Sequence, residues 1–161
     1  MDAPLELIVS VYDDERTAEQ ALADLKRVAK DGNLELKEAA LLVKDGRGKV
    51  RMHETQDVGA GRGALFGAIT GALIGLLAGP AGAVAGAVAG AATGGVTAAV
   101  VDMGFTKDQL EELRMSLPPG SSALVALIEH KWVEKLVKEL ERRRGKLFRH
   151  ELAPDLADQF E

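Results

Sequence analysis

Residues 63–101, 39 in all, contain no Asp, Glu, Lys, Arg or His. Within them glycine recurs every fourth residue, at Gly63, Gly67, Gly71, Gly75 and Gly79, and after Pro80 again at Gly82, Gly86, Gly90 and Gly94. Two positions beyond these glycines, roughly opposite on a helix turning about 100° per residue, stand larger side chains. They are Leu65, Ile69, Leu73 and Leu77 in the first arm and Val84, Val88, Val96 and Val100 in the second, with Ala92 in the gap. Proline disfavours helical conformation in the residue before it, so Gly79-Pro80 predicts a break between two helical arms. The expectation is a helical hairpin with a glycine face and an aliphatic face on each arm.

A glycine inside a helix costs about 1 kcal/mol relative to alanine, so such arms need an environment that offsets the loss. Close backbone approach between helices does so, and a spacing of four favours crossed, tightly packed arms. Two surroundings fit. One is a bilayer: the first arm, Gly63 to Gly79, would span about 25 Å against a hydrocarbon core of about 30 Å, and the second, Ala81 to Val101, is longer. The other is protein, with hairpins of several subunits packing in water as a ring, shell or filament.

The flanks differ sharply from this stretch. They hold all 25 acidic and 20 basic residues, for a net charge of −5 and a pI near 5.3. That balance argues against a nucleic-acid partner. The absence of cysteine excludes disulfides and thiolate metal ligands and fits a reducing compartment. Met1-Asp2-Ala3-Pro4 lacks a basic region, so no secretory signal is expected.

Leu5–Tyr12 is mostly apolar and rich in β-forming residues, and reads as a buried strand. Asp13 and Asp14 are placed to cap the following helix, whose Ala18, Ala21, Leu22, Leu25, Val28 and Ala29 repeat at helical spacing. Asp31-Gly32-Asn33 ends it. Leu34 to Lys44 reads as a second strand, Asp45-Gly46-Arg47-Gly48 as a hairpin turn, and Lys49 to Thr55 as a third strand. Beyond the insert, Thr106 and Gln109 form a capping box, with Phe105 stapled onto Leu110. That helix stops before Pro118-Pro119-Gly120. Ala123 to Glu129 is a central strand. Trp132, Val133, Leu136, Val137 and Leu140 make a helix closing near Gly145, Lys146 to Leu152 a last strand, and Pro154 onward a helical tail.

The expected fold is α+β: a ferredoxin-like β-α-β-β-[helical hairpin insert]-α-β-α-β sandwich whose first six elements supply the split βαβ core. Residues 1–58 and 102–161 form the split domain and 59–101 the insert. The third strand and the next helix belong to one domain, so the insert leaves and returns on the same side, as a hairpin does.

Candidate chemistry is sparse. Gly59-Ala60-Gly61-Arg62-Gly63 matches neither G-x-G-x-x-G nor a P-loop and reads as a hinge. His53, His130 and His150 stand on different elements with no helical partner, which predicts no metal site. Asp13, Asp14 and Glu15 are better explained by helix capping than by an acidic site. Arg142, Arg143 and Arg144, with Lys146 and Arg149, make the one basic cluster. It suits a solvated helix end and offers a contact for an anionic lipid or an acidic partner. No catalytic arrangement, cofactor or small-molecule substrate is expected.

Several of these segments together resemble a known bacterial family, the "domain of unknown function 1269" proteins, described as predicted membrane proteins. The resemblance rests on Val11-Tyr12-Asp13-Asp14, on Ala40 to Val50 (ALLVKDGRGKV), on the glycine-rich insert, on Pro118-Pro119-Gly120-Ser121-Ser122-Ala123-Leu124 and on Gly145-Lys146-Leu147-Phe148-Arg149. It implies an α+β domain carrying a glycine-zipper hairpin, and it supplies no catalytic residues. The second arm departs from the family in its alanine content. The functional expectation is a non-enzymatic, homo-oligomeric protein at the inner membrane, its sandwich facing the cytoplasm. The alternatives are a soluble, cytoplasmic self-assembling protein and, by fold-level analogy, a small-ligand sensor.

Overall fold

The computed structural model describes residues 4–54 and 106–152. The glycine and aliphatic rows of the insert, its Gly59–Gly63 hinge, the Phe105 staple and the tail after Pro154 lie outside the described residues. Within them the fold is α+β: one five-stranded antiparallel sheet and three α-helices. The elements are β1 (Leu5–Tyr12), α1 (Thr17–Lys30), β2 (Leu36–Lys44), β3 (Val50–Glu54), α2 (Lys107–Met115), β4 (Ser121–Glu129), α3 (Val133–Glu141) and β5 (Lys146–Glu151). A single 3-10 turn, His130–Trp132, leads into α3, so Trp132 precedes the helix it was expected to open.

The sheet order is β3-β2-β4-β1-β5. β1 and β4, buried along nearly all their length, sit centrally, and the whole of β1 pairs with β4, from Leu5 opposite Glu129 to Tyr12 opposite Ser122. Two β-α-β units interlock: β4 lies between β1 and β2, and β1 lies between β4 and β5. This corrects the expectation that the first six elements in chain order supply the core. β3 pairs only with β2 and stands at the edge, while β5 completes the second unit. The tight turn at Asp45 holds β3 beside β2, and the longer, fully buried β4 takes the other side of β2. The Asp45 carboxylate accepts from the Arg47 and Lys49 N–H groups at 2.9 and 3.0 Å, which holds its pKa below the usual range, the Lys49 bond foremost.

Local chemistry sets the helix ends. Asp14 accepts hydrogen bonds from the N–H groups of Arg16 and Thr17, both at 2.8 Å, and from the Thr17 hydroxyl. The buried Ser122 of β4 fastens the same end to the sheet, accepting from Ala18 N–H at 3.2 Å and donating to the Asp14 carbonyl at 2.7 Å. At the far end Gly32, with φ +79°, completes a Schellman cap: Asn33 N–H reaches the Val28 carbonyl and Gly32 N–H the Ala29 carbonyl. The expected capping box on α2 is present, with Gln109 N–H to Thr106 Oγ1 at 3.1 Å and Thr106 N–H to Gln109 Oε1 at 3.0 Å.

α1 and α3 cover one face of the sheet. Ala18, Ala21, Leu22 and Leu25 from α1 and Val133, Leu136 and Leu140 from α3 pack on Ile8, Tyr12, Ala39, Leu41, Leu124, Ala126 and Ile128. Each large aliphatic side chain removed from water here contributes about 1.5–3 kcal/mol. Strand alternation sends Leu5, Leu7, Val9, Val11, Ala40, Leu42, Ala123, Val125 and Leu127 to the opposite face. None of these nine is more than 5% exposed.

Candidate functional site

The five residues of the expected basic cluster are held mainly by acids of the fold. They separate at the end of α3 and along β5, and four of the five engage such acids. Arg143 Nε reaches Asp24 Oδ2 at 2.6 Å and its Nη1 reaches Gln20 Oε1 at 3.0 Å. Arg149 Nη2 meets Glu6 Oε1 at 3.1 Å, Lys146 Nζ meets Glu112 Oε1 at 3.2 Å, and Arg142 Nη2 meets Glu139 Oε1 at 3.7 Å. Arg144 follows the helix in the left-handed region, with φ 59°. Because β5 is extended, Lys146 and Arg149 face opposite sides of the sheet.

Arg143 crosses from the end of α3 to α1 and is the only one of the five drawn into the helical layer. The guanidinium holds the Asp24 carboxyl below its ordinary range, first through the hydrogen bond and then through its charge, while partial burial opposes the shift. The Arg143 pKa is raised in turn by that bond. Near this pair, Ser10 and Tyr12 place buried hydroxyls that make no hydrogen bond of normal geometry. Burial raises the Tyr12 phenol above its usual value of 10.0, while the neighbouring Ser10 hydroxyl and the Arg143 charge act the other way. Gly145 passes so close over them that an added Cβ would lie 2.6 Å from Tyr12 Cε1. Beside the pair, an open groove of about 530 Å³ runs between α1 and α3, lined by Asp24, Arg27, Asp31, Glu139, Arg142 and Arg143 with Val28. Its mixed acids and bases largely satisfy one another and define no single ligand charge.

A second polar constellation was not anticipated. Glu6 sits in the otherwise apolar β1 and its side chain is 7% exposed. Its two oxygens are taken by His130 Nδ1 at 2.7 Å and Arg149 Nη2 at 3.1 Å. A lone carboxylate inside an eight-residue buried strand was the available signal, since a buried charge demands partners. His130 is mostly exposed yet anchored here; His53 lies on β3 opposite Leu41, and His150 on β5 opposite Leu7. Among the described residues, no three His, Cys, Asp or Glu side chains converge as metal ligands would.

The acidic run after β1 acts as a cap, with Asp14 as its working member. Thr17 is the main reason its carboxyl titrates below the ordinary range. The oligomerisation rows, from Gly63 to Gly94 and from Leu65 to Val100, lie outside the described residues. Among the described residues no helix is long and apolar enough to cross a membrane.

No curated protein and no solved structure matches the chain. A family model does, over residues 58–161, which take in the uncharged segment, α2, β4, α3 and β5. That span is more than half of the 161 residues, and the chain therefore belongs to the family described as protein of unknown function (DUF1269).

Proposed function

We propose that this is a non-enzymatic, self-associating protein whose uncharged segment, residues 63–101, joins copies of the chain at a membrane through its glycine rows. The observation that carries this reading is the charge-free period of four, interrupted once at Gly79-Pro80. The described domain serves as its carrier. Its interlocked β-α-β units support a ferredoxin-like sandwich in which β3 is an added edge strand. The two ends of the segment join the same domain, which suits an even number of crossings or a hairpin lying against the bilayer. Arg142 and Arg144 at the end of α3 offer a contact for anionic headgroups.

The test is flotation of the intact, detergent-free protein with anionic liposomes, alongside light scattering after size exclusion. Flotation together with a particle larger than one chain is expected. Gly71→Leu and Gly86→Leu should each shrink that particle, because a bulky side chain holds the arms apart. A monomer that stays with the soluble fraction would overturn the proposal.

The buried second face of the sheet favours another reading, a soluble assembly. Nine apolar side chains there are shielded from water, so an apolar platform exists within the chain for aliphatic rows to use instead of lipid. Under this reading the particle forms without membranes and does not float.

A further inference from the structure

The second face of the sheet is buried more completely than its described neighbours can explain. Leu7, Ala40, Leu42, Val125 and Leu127 are 0% exposed and Val9 1%. α1 and α3 lie on the opposite face. α2 is nine residues long and sits toward the β5 edge, where Glu112 meets Lys146 and where Gln109, Glu112 and Leu113 share a small cleft with Leu147, Phe148 and Arg149. A helix about 10–12 Å across at one edge cannot shield a sheet about 19 Å wide, four strand spacings of about 4.8 Å.

Connectivity identifies the remaining cover. Residue 54 ends β3 at one edge of the sheet, and residue 106 opens α2 beside β5 at the other. The 51 residues between them have to join these two edges, and α1 and α3 already occupy one face. Dimensions agree as well. Two helical arms packed about 8–10 Å apart present a layer roughly 20 Å wide, and 17 residues reach about 25 Å, close to the roughly 28 Å of an eight- or nine-residue strand.

We propose that the second face is the seat of the chain's own residues 63–101. Their aliphatic rows lie on the sheet and their glycine rows are left to pack against each other or against another copy. The fold then has three layers, with α1 and α3 on one side of the sheet and α2 with residues 63–101 on the other. The seat stands whether or not chains associate; it is compatible with a hairpin lying against the bilayer and excludes one that crosses it.

The cysteine-free chain permits a direct test. Val125→Cys places a thiol on the second face, Ala126→Cys one under α1 and α3, and Met115→Cys one at an exposed position. In the purified full-length protein without detergent, the Val125→Cys thiol should react with a maleimide about 100-fold or more slowly than the Met115→Cys thiol. Dilution should leave that protection unchanged. Adding Leu73→Asp or Leu77→Asp should speed labelling of Val125→Cys and leave Ala126→Cys slow. The seat is overturned if Val125→Cys reacts like Met115→Cys. It is also overturned if protection disappears on dilution, which assigns the face to a second copy, or appears only with lipid. If the aspartates also open Ala126→Cys, oxidative pairing of Val125→Cys with Leu73→Cys or Leu77→Cys decides. A cross-linked monomer at either position upholds the seat, and none at both overturns it. Light scattering on the same samples separates the two proposals, since a protected monomer keeps the seat and removes self-association.

Discussion

Asp24 in the middle of α1 and Arg143 just beyond α3 meet at 2.6 Å, across 119 residues of sequence, and fasten the two helices that cover the sheet. The contact is charge-assisted and both groups are partly shielded, conditions under which an ion pair exceeds the small worth of a surface bridge.

Asp24→Asn should therefore lower stability by about 1 kcal/mol at pH 7. The folded carboxyl titrates below its usual range. Its contribution is thus fully present above the unfolded value of about 4 and is lost as pH falls through the depressed folded value. Urea midpoints for wild type and variant should differ at pH 7 and converge near pH 2. An equal gap at both pH values would show that the carboxylate charge is not what stabilises.

Gly145→Ala should destabilise by about 1–3 kcal/mol, as overpacking does, because the new methyl would press on Tyr12 and Ser10. Tyr12→Leu removes the ring that stands in the way, so in that background the cost of Gly145→Ala should fall. Equal costs in both backgrounds, read from a double-mutant cycle in urea, would place the constraint elsewhere.

Arg144→Gly should do the opposite. Arg144 holds φ 59° where α3 ends, and a non-glycine residue in that region carries about 1 kcal/mol of strain. A melting temperature raised by a few degrees is expected. A lowered one would mean that the arginine side chain contributes more than its backbone costs.

Thr106→Ala removes one arm of the capping box and should cost about 1 kcal/mol. The loss should be local: hydrogen exchange ought to accelerate in the first turn of α2 while β1 and β4 keep their protection. Uniform acceleration would tie α2 to the global unfolding unit instead.

Much of the fold was legible because its causes are local. The apolar runs that became β1 and β4, the Asp31-Gly32-Asn33 stop, the Asp45 turn and the Thr106–Gln109 box each act through residues a few positions apart. The same holds for membership of the family, since its motifs are contiguous. The candidate sites were less legible. Arg142 to Arg149 read as one basic patch because they are neighbours in sequence, yet a helix end and an extended strand send them toward acids on α1, α2, α3 and β1.

The sequence by itself determined which segments form strands and helices and several of their stops, the placement of every charge outside residues 63–101, and the period of four within them. Only the tertiary structure decided that β3 stands at an edge, that Glu6 is satisfied by His130 and Arg149, and that Gly145 must be small because Tyr12 lies beneath it. The division has a physical reason. Propensity, capping and turn chemistry act over a few residues, whereas strand order and the pairing of buried charges depend on which surfaces meet, and no local pattern encodes that.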